Sequence, residues 1–131
     1  MCILVVEDED LIRLLVTEEL AEAGFEICEA ETGDRAAALI EASPAMFRLL
    51  VTDIHMPGHL DGIAVAHLLR SRCPSVPIIY TTGRPDVLDD MALQGAQDAL
   101  LAKPYSPSDL LKVVKRVLAE GGEGTSARGR M

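Results

Sequence analysis

Short runs of apolar residues alternate along the chain with segments whose apolar residues recur at helical spacing. Five runs predict β-strands; they lie at residues 2–6, 25–30, 47–52, 77–81 and 99–102. Four of them are almost continuously apolar, which is typical of strands that are covered on both faces. In the second, apolar residues alternate with acidic ones, which predicts one solvent-facing side.

Helices are predicted between and after these strands, at residues 11–23, 32–42, 62–72, 86–94 and 107–120. Glycine is preferred just after a helix, and Gly24 follows the first one. Thr32 is a typical N-cap residue, and Pro107 is typical of the first position in a helix. In the first helix the expected apolar face consists of Leu11, Leu14, Leu15, Leu20 and Ala23.

This alternation of strands and helices predicts an α/β fold, a doubly wound sheet of five parallel strands with helices on both faces. A chain of 131 residues has room for one domain. We assign residues 1–120 to that domain. Residues 121–131, which are rich in glycine and polar residues, are expected to form a flexible C-terminal tail.

Charge and composition exclude several classes of function. Twelve Lys and Arg face twenty-one Asp and Glu, for a net charge of −9, which argues against a nucleic-acid partner. No apolar run approaches the roughly 18 residues that span a membrane, and the first residues do not resemble a signal peptide. We therefore expect a cytoplasmic protein. The three cysteines have the character of small core residues in a reducing compartment.

Polar residues stand where four predicted strands end: Glu7, Asp8, Asp53, Thr82 and Lys103. In open parallel sheets these ends border the functional crevice, so the five side chains should converge. Converging carboxylates repel one another, and a hard divalent cation such as Mg²⁺ would complement the single lysine. The alternative is that the first acidic residues only favour the start of a helix.

A carboxylate beside Mg²⁺, an ammonium group and a hydroxyl is suited to accepting a phosphoryl group. Asp53 would attack, while the cation and Lys103 would neutralise the phosphoryl oxygens. The Thr82 hydroxyl and the backbone N–H groups after Asp53 and Thr82 would donate hydrogen bonds to those oxygens.

The motifs around these residues resemble the chemotaxis-regulator-like receiver domain of two-component response regulators. They are Ile3–Glu9, Val51–Gly58, Thr82-Gly83 and Lys103-Pro104, in the family's order and with similar spacing. The resemblance covers about residues 1–120 and implies a flavodoxin-like strand order of 2-1-3-4-5.

The resemblance also implies a role for each site residue. Asp53 corresponds to the phosphoacceptor, which is also a Mg²⁺ ligand. Asp8 corresponds to a second direct ligand, the His55 carbonyl to a backbone ligand, and Glu7 to a ligand acting through water. Thr82 corresponds to the switch hydroxyl and Lys103 to the phosphate-pairing cation. Gly83 and Pro104 follow these two residues, and a cis peptide bond is expected before Pro104.

Two departures from the family pattern affect the expected signalling. Leu100 stands where the family usually has a Tyr or Phe that moves with the threonine, so we expect output to depend on backbone shifts of residues 82–96. Tyr105 is a weaker candidate for that aromatic role. At the positions that border the attacking water, His55 and Arg84 are poorly suited to orienting it, which predicts slow self-dephosphorylation.

These features predict a single-domain response regulator rather than an enzyme. It would receive its phosphoryl group from a histidine kinase or a histidine phosphotransfer protein and exist as a monomer or weak dimer. A downstream protein would bind the surface made by the predicted fourth helix, fifth strand and fifth helix.

Other interpretations remain open at this point. The alternatives are a receiver cut from a hybrid kinase and a scaffold that switches weakly. A more remote alternative is a small Mg²⁺-dependent aspartyl phosphatase, although His55 replaces the general acid of that class. The three histidines, His55, His59 and His67, lack the spacing of a zinc site and are expected to be solvated.

Overall fold

A computed structural model of the chain describes residues 1–84 and 98–122. It contains one sheet of five strands, β1 (Cys2–Val6), β2 (Ile27–Ala30), β3 (Phe47–Asp53), β4 (Ile78–Thr82) and β5 (Ala99–Ala102). Every pair of neighbouring strands is parallel, and their order is β2-β1-β3-β4-β5. The predicted fold class and strand order are confirmed.

The described helices are α1 (Asp10–Glu22), α2 (Gly33–Ala42), α3 (Gly62–Arg72) and α4 (Pro107–Gly122), with a short 3-10 helix at Pro44–Met46. The helix predicted at 86–94 lies outside the described residues. α4 continues through Gly121 and Gly122, two residues beyond the predicted end, and residues 123–131 of the predicted tail lie outside the description. No helix within 1–84 or 98–122 is long and apolar enough to cross a membrane.

Side-chain caps determine where the helices begin. The Thr32 hydroxyl accepts a hydrogen bond from the Arg35 N–H at 3.0 Å, as an N-cap does. At α4, the Ser106 hydroxyl accepts from the Asp109 N–H at 3.1 Å, and the Asp109 carboxylate accepts from the Ser106 N–H at 3.3 Å. This reciprocal pair satisfies two backbone donors at the start of the helix.

The sheet separates two hydrophobic layers, because side chains alternate between its faces. On one side, Leu4, Leu50 and Tyr80 pack with residues of α2 and α3, including Ile40 and Leu69. The other layer joins β-strand residues to α1 and α4; its members include Ile3, Leu49, Ile79, Leu20 and Val114. All five residues of β1 are buried, as the continuous apolar run predicts.

The prediction that one apolar face of α1 is buried is wrong for most of the residues assigned to that face. Leu11, Leu14 and Leu15 are 66%, 50% and 43% exposed, and Ala23 is exposed at the helix end. Of the predicted face only Leu20 is buried; it packs with Val16 and the half-buried Ile12 against the second layer. Residues 12, 16 and 20 form a second stripe at i, i+4 spacing, and only packing against the sheet and α4 selects it.

Candidate functional site

The candidate site lies at the carboxyl edge of the sheet, where four strands end. β1 is followed by Glu7 and Asp8, β3 ends at Asp53, β4 ends at Thr82, and Lys103 follows β5. Strand pairing holds these ends in register, since Val6 lies opposite Thr52 and Asp53 lies opposite Thr81. The Lys103 N–H donates to the Thr82 carbonyl at 2.8 Å, which extends the β4–β5 pairing into the site.

Three carboxylates gather at this edge. Glu7, Asp8 and Asp53 each offer a carboxylate oxygen, and these atoms lie within 4.8 Å of one another. Glu7 and Asp53 are only 3% and 5% exposed, whereas Asp8 is half-buried. No other group of three or more acidic, histidine or cysteine side chains in the described parts of the chain is arranged to hold a metal ion.

Lys103 supplies a positive charge to this cluster. Its Nζ atom lies 3.0 Å from the Asp53 Oδ2 atom and 3.2 Å from the Glu7 Oε1 atom. Burial lowers the pKa of Lys103, but the hydrogen bond and charge of Asp53, with the charge of Glu7, outweigh that effect and raise it. Lys103 is therefore an ammonium group that bridges two of the carboxylates.

One ammonium does not balance three carboxylates. Burial raises the pKa of both Glu7 and Asp53, although Lys103 acts in the opposite direction on each. The negative charge of Asp8 raises the pKa of Asp53 further. The cluster would therefore be stabilised by an additional cation, and its all-oxygen donor set fits Mg²⁺, which binds through a few carboxylates and keeps several waters.

The carboxylate of Glu7 is engaged by two donors. Besides Lys103, the backbone N–H of Glu9 donates to its Oε2 atom at 3.1 Å. The Glu7 N–H itself donates to the Ala30 carbonyl of the neighbouring strand at 3.1 Å. Glu7 is thus held in place more firmly than a surface carboxylate.

The other side of the site is formed by the end of β4. Thr82 is fully buried, and its hydroxyl oxygen accepts a hydrogen bond from the Arg84 N–H at 3.0 Å. Gly83 and the Arg84 side chain are exposed, and a Cβ atom at Gly83 would meet nothing within 4 Å. The backbone after Thr82 therefore folds back so that the Arg84 N–H reaches the Thr82 hydroxyl, and at Gly83 it faces open space.

Gly62, which sequence reasoning missed, lets α3 begin against the backbone of Asp53. A Cβ atom at Gly62 would lie 2.1 Å from the Asp53 carbonyl oxygen. The Gly62 N–H donates to the Ile54 carbonyl at 2.9 Å, and Asp61 caps the helix by accepting from the Ala64 N–H at 2.9 Å. The Asp61-Gly62 pair was a sequence signal for this close approach, because a capping residue is followed there by the smallest residue.

A second missed glycine supports the same loop. A Cβ atom at Gly33, the first residue of α2, would lie 2.1 Å from the Leu60 carbonyl oxygen. The loop after β3 is therefore seated against the N-termini of both α2 and α3.

The three histidines do not form a metal cluster with other described residues. Their side chains are all exposed. His55 and His59 border the same open depression, while His67 lies on α3. His59 is the partner of Asp34, with the Nδ1 and Oδ2 atoms 4.0 Å apart.

Leu100 and Tyr105 occupy different environments beside the site. Leu100 lies opposite Tyr80 across β4 and β5, and both pack into the layer with α2 and α3. Tyr105 forms a side-chain hydrogen bond with Thr81, and burial, followed by the charge of Glu7, raises its pKa to about 12. The peptide bond between Lys103 and Pro104 is cis, as the resemblance implied.

Tyr105 also lines a cavity beside the carboxylate cluster. The cavity has a volume of about 460 Å³, and its lining consists of Glu9, Ile12, Lys103, Pro104 and Tyr105. It separates the start of α1 from the loop between β5 and α4.

Comparison with known proteins identifies the family. The family described as the response regulator receiver domain matches residues 3–115. The chain belongs to this family. The family assignment made from the four motifs is confirmed, and with it the place of the chain among the signalling domains of two-component systems.

Curated relatives carry the same domain within longer proteins. The chain is 38% identical over 109 residues to the uncharacterized transcriptional regulatory protein YrkP of Bacillus subtilis, which covers 82% of this chain and 45% of that protein. It is 34% identical over 122 residues to the transcriptional activator protein IrlR of Burkholderia pseudomallei, covering 92% and 52%. The chain thus spans about half the length of the curated relatives it matches.

A solved receiver structure shows the same fold over nearly its whole length. A response regulator receiver protein from Sinorhizobium medicae superposes with a TM-score of 0.84 at 26% identity, covering 92% of this chain and 96% of that one. Receiver domains bind Mg²⁺ at an acidic pocket and interact with histidine kinases and downstream effectors. In this chain Glu7, Asp8 and Asp53 form an acidic cluster at the carboxyl edge of the sheet.

Proposed function

We propose that this receiver domain accepts a phosphoryl group on Asp53 from a phosphohistidine of a kinase or phosphotransfer protein. The observation that carries the proposal is the burial of Asp53 within 4.8 Å of two further carboxylates and 3.0 Å from the Lys103 ammonium. A buried acidic cluster with one lysine is poorly stabilised by itself. It is well suited to a reaction that brings in a cation and a phosphoryl group.

The oxygen donors of the cluster would bind Mg²⁺ in two ways, directly and through water. Asp8 and Asp53 would bind it directly, with the backbone carbonyl of His55, whereas Glu7 would act through a water molecule. Glu7 suits this role because its carboxylate already accepts from Lys103 and the Glu9 N–H. When bound, Mg²⁺ supplies positive charge that neutralises phosphoryl oxygens during transfer.

The side chains of the chain carry the transfer itself. An Asp53 oxygen attacks the phosphorus, an O–P bond forms, and the P–N bond to the donor imidazole breaks, so that the imidazole leaves and takes up a proton. During transfer Lys103 pairs with a phosphoryl oxygen as well as with Asp53. The Thr82 hydroxyl and the N–H groups that follow Asp53 and Thr82 donate to the remaining oxygens.

The same contacts would transmit the signal. The Thr82 hydroxyl oxygen accepts a hydrogen bond from the Arg84 N–H. We propose that Thr82 turns toward the phosphoryl group and draws the backbone after it, since Leu100 offers no aromatic ring to rotate. The affected stretch is residues 82–96, of which 85–96 lie outside the described residues.

The phosphodonor is proposed to contact the exposed leucines of α1. Leu11, Leu14 and Leu15 leave an apolar surface uncovered on the helix that begins two residues after Asp8. A protein that delivers a phosphoryl group to Asp53 must approach this end of the sheet. Burying exposed leucine side chains would favour such a complex.

The output partner is proposed to bind a surface that includes β5 and α4. Lys112, Lys115 and Arg116 are exposed on α4, where an acidic partner would find three cations. The predicted fourth helix, which completes the proposed surface, falls outside the described residues.

Measuring intact protein mass after incubation with acetyl phosphate, with and without Mg²⁺, tests the phosphoacceptor role. We expect a Mg²⁺-dependent gain of one phosphoryl group in the natural protein and none in Asp53→Asn. Asp34→Asn, which changes an exposed aspartate, should still be labelled. In Asp8→Asn, adding Mg²⁺ should no longer increase the labelling.

Equal labelling of Asp53→Asn would overturn the assignment of the acceptor. No labelling by acetyl phosphate or by a phosphorylated histidine phosphotransfer protein would favour a scaffold. Steady turnover of a phosphomonoester without stable labelling would instead identify a phosphatase.

A further inference from the structure

Two cysteine side chains meet at the end of the sheet opposite the candidate site. The Sγ atoms of Cys2 and Cys28 are 3.0 Å apart, although the residues are 26 positions apart in sequence. Cys2 begins β1, and Cys28 lies on the neighbouring edge strand β2, opposite Leu4. Both thiols face the layer that contains α2 and α3.

The separation of the two sulfur atoms is within reach of a covalent bond. A disulfide has an S–S distance of about 2.05 Å, so the sulfur atoms need to approach by about 1 Å. The residues are two positions out of register, and we expect the required shift to fall on Cys2. Pairing with β3 is irregular between Cys2 and Ile3, so the ladder constrains Cys2 less than the rest of β1.

We propose that Cys2 and Cys28 are a redox-sensitive pair that forms a reversible disulfide in the presence of a peroxide. Cys28 is half-buried and reaches solvent, whereas Cys2 is only 5% exposed. Cys28 is therefore the thiol that meets the oxidant, and Cys2 is the thiol that resolves the oxidised product.

The reaction balances with hydrogen peroxide as the oxidant. The Cys28 sulfur attacks one peroxide oxygen, the O–O bond breaks, and the products are a Cys28 sulfenic acid and one water. The Cys2 sulfur then attacks the Cys28 sulfur, the S–O bond breaks, and hydroxide leaves with the Cys2 proton as a second water. Two thiols are oxidised to one disulfide, and one peroxide is reduced to two waters.

The electrostatic surroundings set the order of these steps. Burial, and next the hydrogen bond with Cys28, raise the pKa of Cys2 to about 12, so Cys2 keeps its proton until it attacks the sulfenic acid. The half-buried Cys28 is thus the first residue to be oxidised, and its sulfenic acid forms in contact with its resolving partner.

The disulfide would secure the edge of the sheet without entering the phosphorylation site. It would connect β2, which has a single strand neighbour, to the centrally placed β1. Cys2 and Glu7 are five residues apart, which is roughly 16 Å along a strand. We therefore expect the oxidised protein to unfold at a higher temperature and to accept a phosphoryl group on Asp53 as before.

Peptide mapping and intact mass after hydrogen peroxide treatment test the proposal. In the natural protein and in Cys73→Ser we expect the loss of two hydrogen atoms, a cross-linked peptide pair containing Cys2 and Cys28, and recovery with dithiothreitol. Cys73 is the matched control, because the hydrogen bond described for its thiol is to the Pro44 carbonyl, at 3.5 Å, and not to another cysteine. The melting temperature of the oxidised protein should rise by several degrees.

Cys28→Ser should abolish the cross-link and the rise in melting temperature. It alters a half-buried edge position, so it tests the pair even if the buried Cys2→Ser variant fails to fold. The proposal is overturned if peroxide adds only oxygen atoms, if the disulfide joins two protein molecules, or if the loss of two hydrogens persists in Cys28→Ser.

Discussion

Asp53 is placed where a carboxylate is chemically useful and energetically unfavourable. Burial raises its pKa, and so does the neighbouring Asp8, which means that the folded protein disfavours the ionised form that the proposed attack requires. Lys103 offsets only part of this penalty. Without a bound cation the clustered carboxylates therefore lower the stability of the folded protein, which is common at functional sites.

Neutralising Asp53 should stabilise the protein in buffer that contains no Mg²⁺. Asp53→Asn removes one of three clustered carboxylates, and Lys103 keeps Glu7 as a partner, so we expect the free energy of unfolding to rise. Mg²⁺ should raise the melting temperature of the natural protein and change that of Asp53→Asn much less. Thermal unfolding with and without Mg²⁺ measures both effects. A Mg²⁺-free Asp53→Asn protein that melts lower than the natural one would contradict this account.

Arg84 should lengthen the life of the phosphorylated state. Its backbone N–H caps the Thr82 hydroxyl, and its exposed side chain is free to cover the phosphoryl group from attacking water. We expect Arg84→Ala to lose the phosphoryl group several-fold faster and Arg84→Lys to lose it at an intermediate rate. The measurement is the decay of phosphorylated protein in Mg²⁺ after the donor is removed. Identical lifetimes in all three proteins would exclude shielding by this side chain.

At the scale of elements, the start of α3 determines the position of the loop that follows Asp53. Because a Cβ atom at Gly62 would lie 2.1 Å from the Asp53 carbonyl oxygen, helix and loop cannot both keep their places in Gly62→Ala. We expect a destabilisation of about 1–3 kcal/mol, typical of overpacking, together with slower phosphorylation.

Gly83→Ala is the matched control for that substitution. A Cβ atom at Gly83 meets nothing within 4 Å, and the backbone N–H is retained, so stability and phosphorylation should change little. Urea unfolding and the rate of labelling by acetyl phosphate check both variants. Equal behaviour of the two variants would show that the close approach at Gly62 is unimportant.

The exposed stripe of α1 should contribute to partner binding rather than to folding. We expect Leu14→Ser to change the free energy of unfolding by less than about 0.5 kcal/mol, whereas Leu20→Ala, in the core, should cost about 2–5 kcal/mol. Leu14→Ser should also slow phosphotransfer from a histidine phosphotransfer protein while leaving labelling by acetyl phosphate unchanged. A parallel loss with both donors would place the defect in the site instead.

At the scale of the whole molecule, an ion pair between the buried carboxylate of Asp98 and the partly buried Arg70 ties β5 to the rest of the sheet. Asp98, just before β5, accepts hydrogen bonds from Arg70 of α3 at 2.7 and 2.9 Å and from the Ile78 N–H at 3.0 Å. Arg70 also donates to the Val76 carbonyl at 3.0 Å. One carboxylate thus joins α3, β4 and β5 at the end of the sheet opposite Lys103.

Removing this carboxylate should destabilise the molecule strongly. Asp98→Ala removes the carboxylate that pairs with the Arg70 guanidinium and accepts from the Ile78 N–H, and we expect a loss of about 3–5 kcal/mol. Asp98→Asn should lose less, because its amide oxygen still accepts from Ile78. The measurement is urea unfolding; a loss below about 1 kcal/mol in Asp98→Ala would show that the pair contributes only as a surface ion pair does.

The sequence was sufficient for the order of the described elements and for the placement of the acidic cluster. Strands with apolar side chains on both faces have to lie inside a parallel sheet, and the carboxyl ends of such strands meet at one edge. From these rules Glu7, Asp8, Asp53, Thr82 and Lys103 were expected together, and the structure places them at one edge. Their individual roles remain predictions.

Other features depend on distances between residues far apart in the chain, which no local pattern encodes. Two stripes of α1 are compatible with helical periodicity, and only contact with α4 and the sheet buries Val16 and Leu20 and leaves Leu14 in solvent. The contact of Cys2 with Cys28 and the bond from Arg70 to Asp98 likewise arise from strand neighbours and helix packing. The sequence by itself determined the chemistry available to this protein, because it sets residue types and periodicity. Tertiary structure decided which of those residues meet.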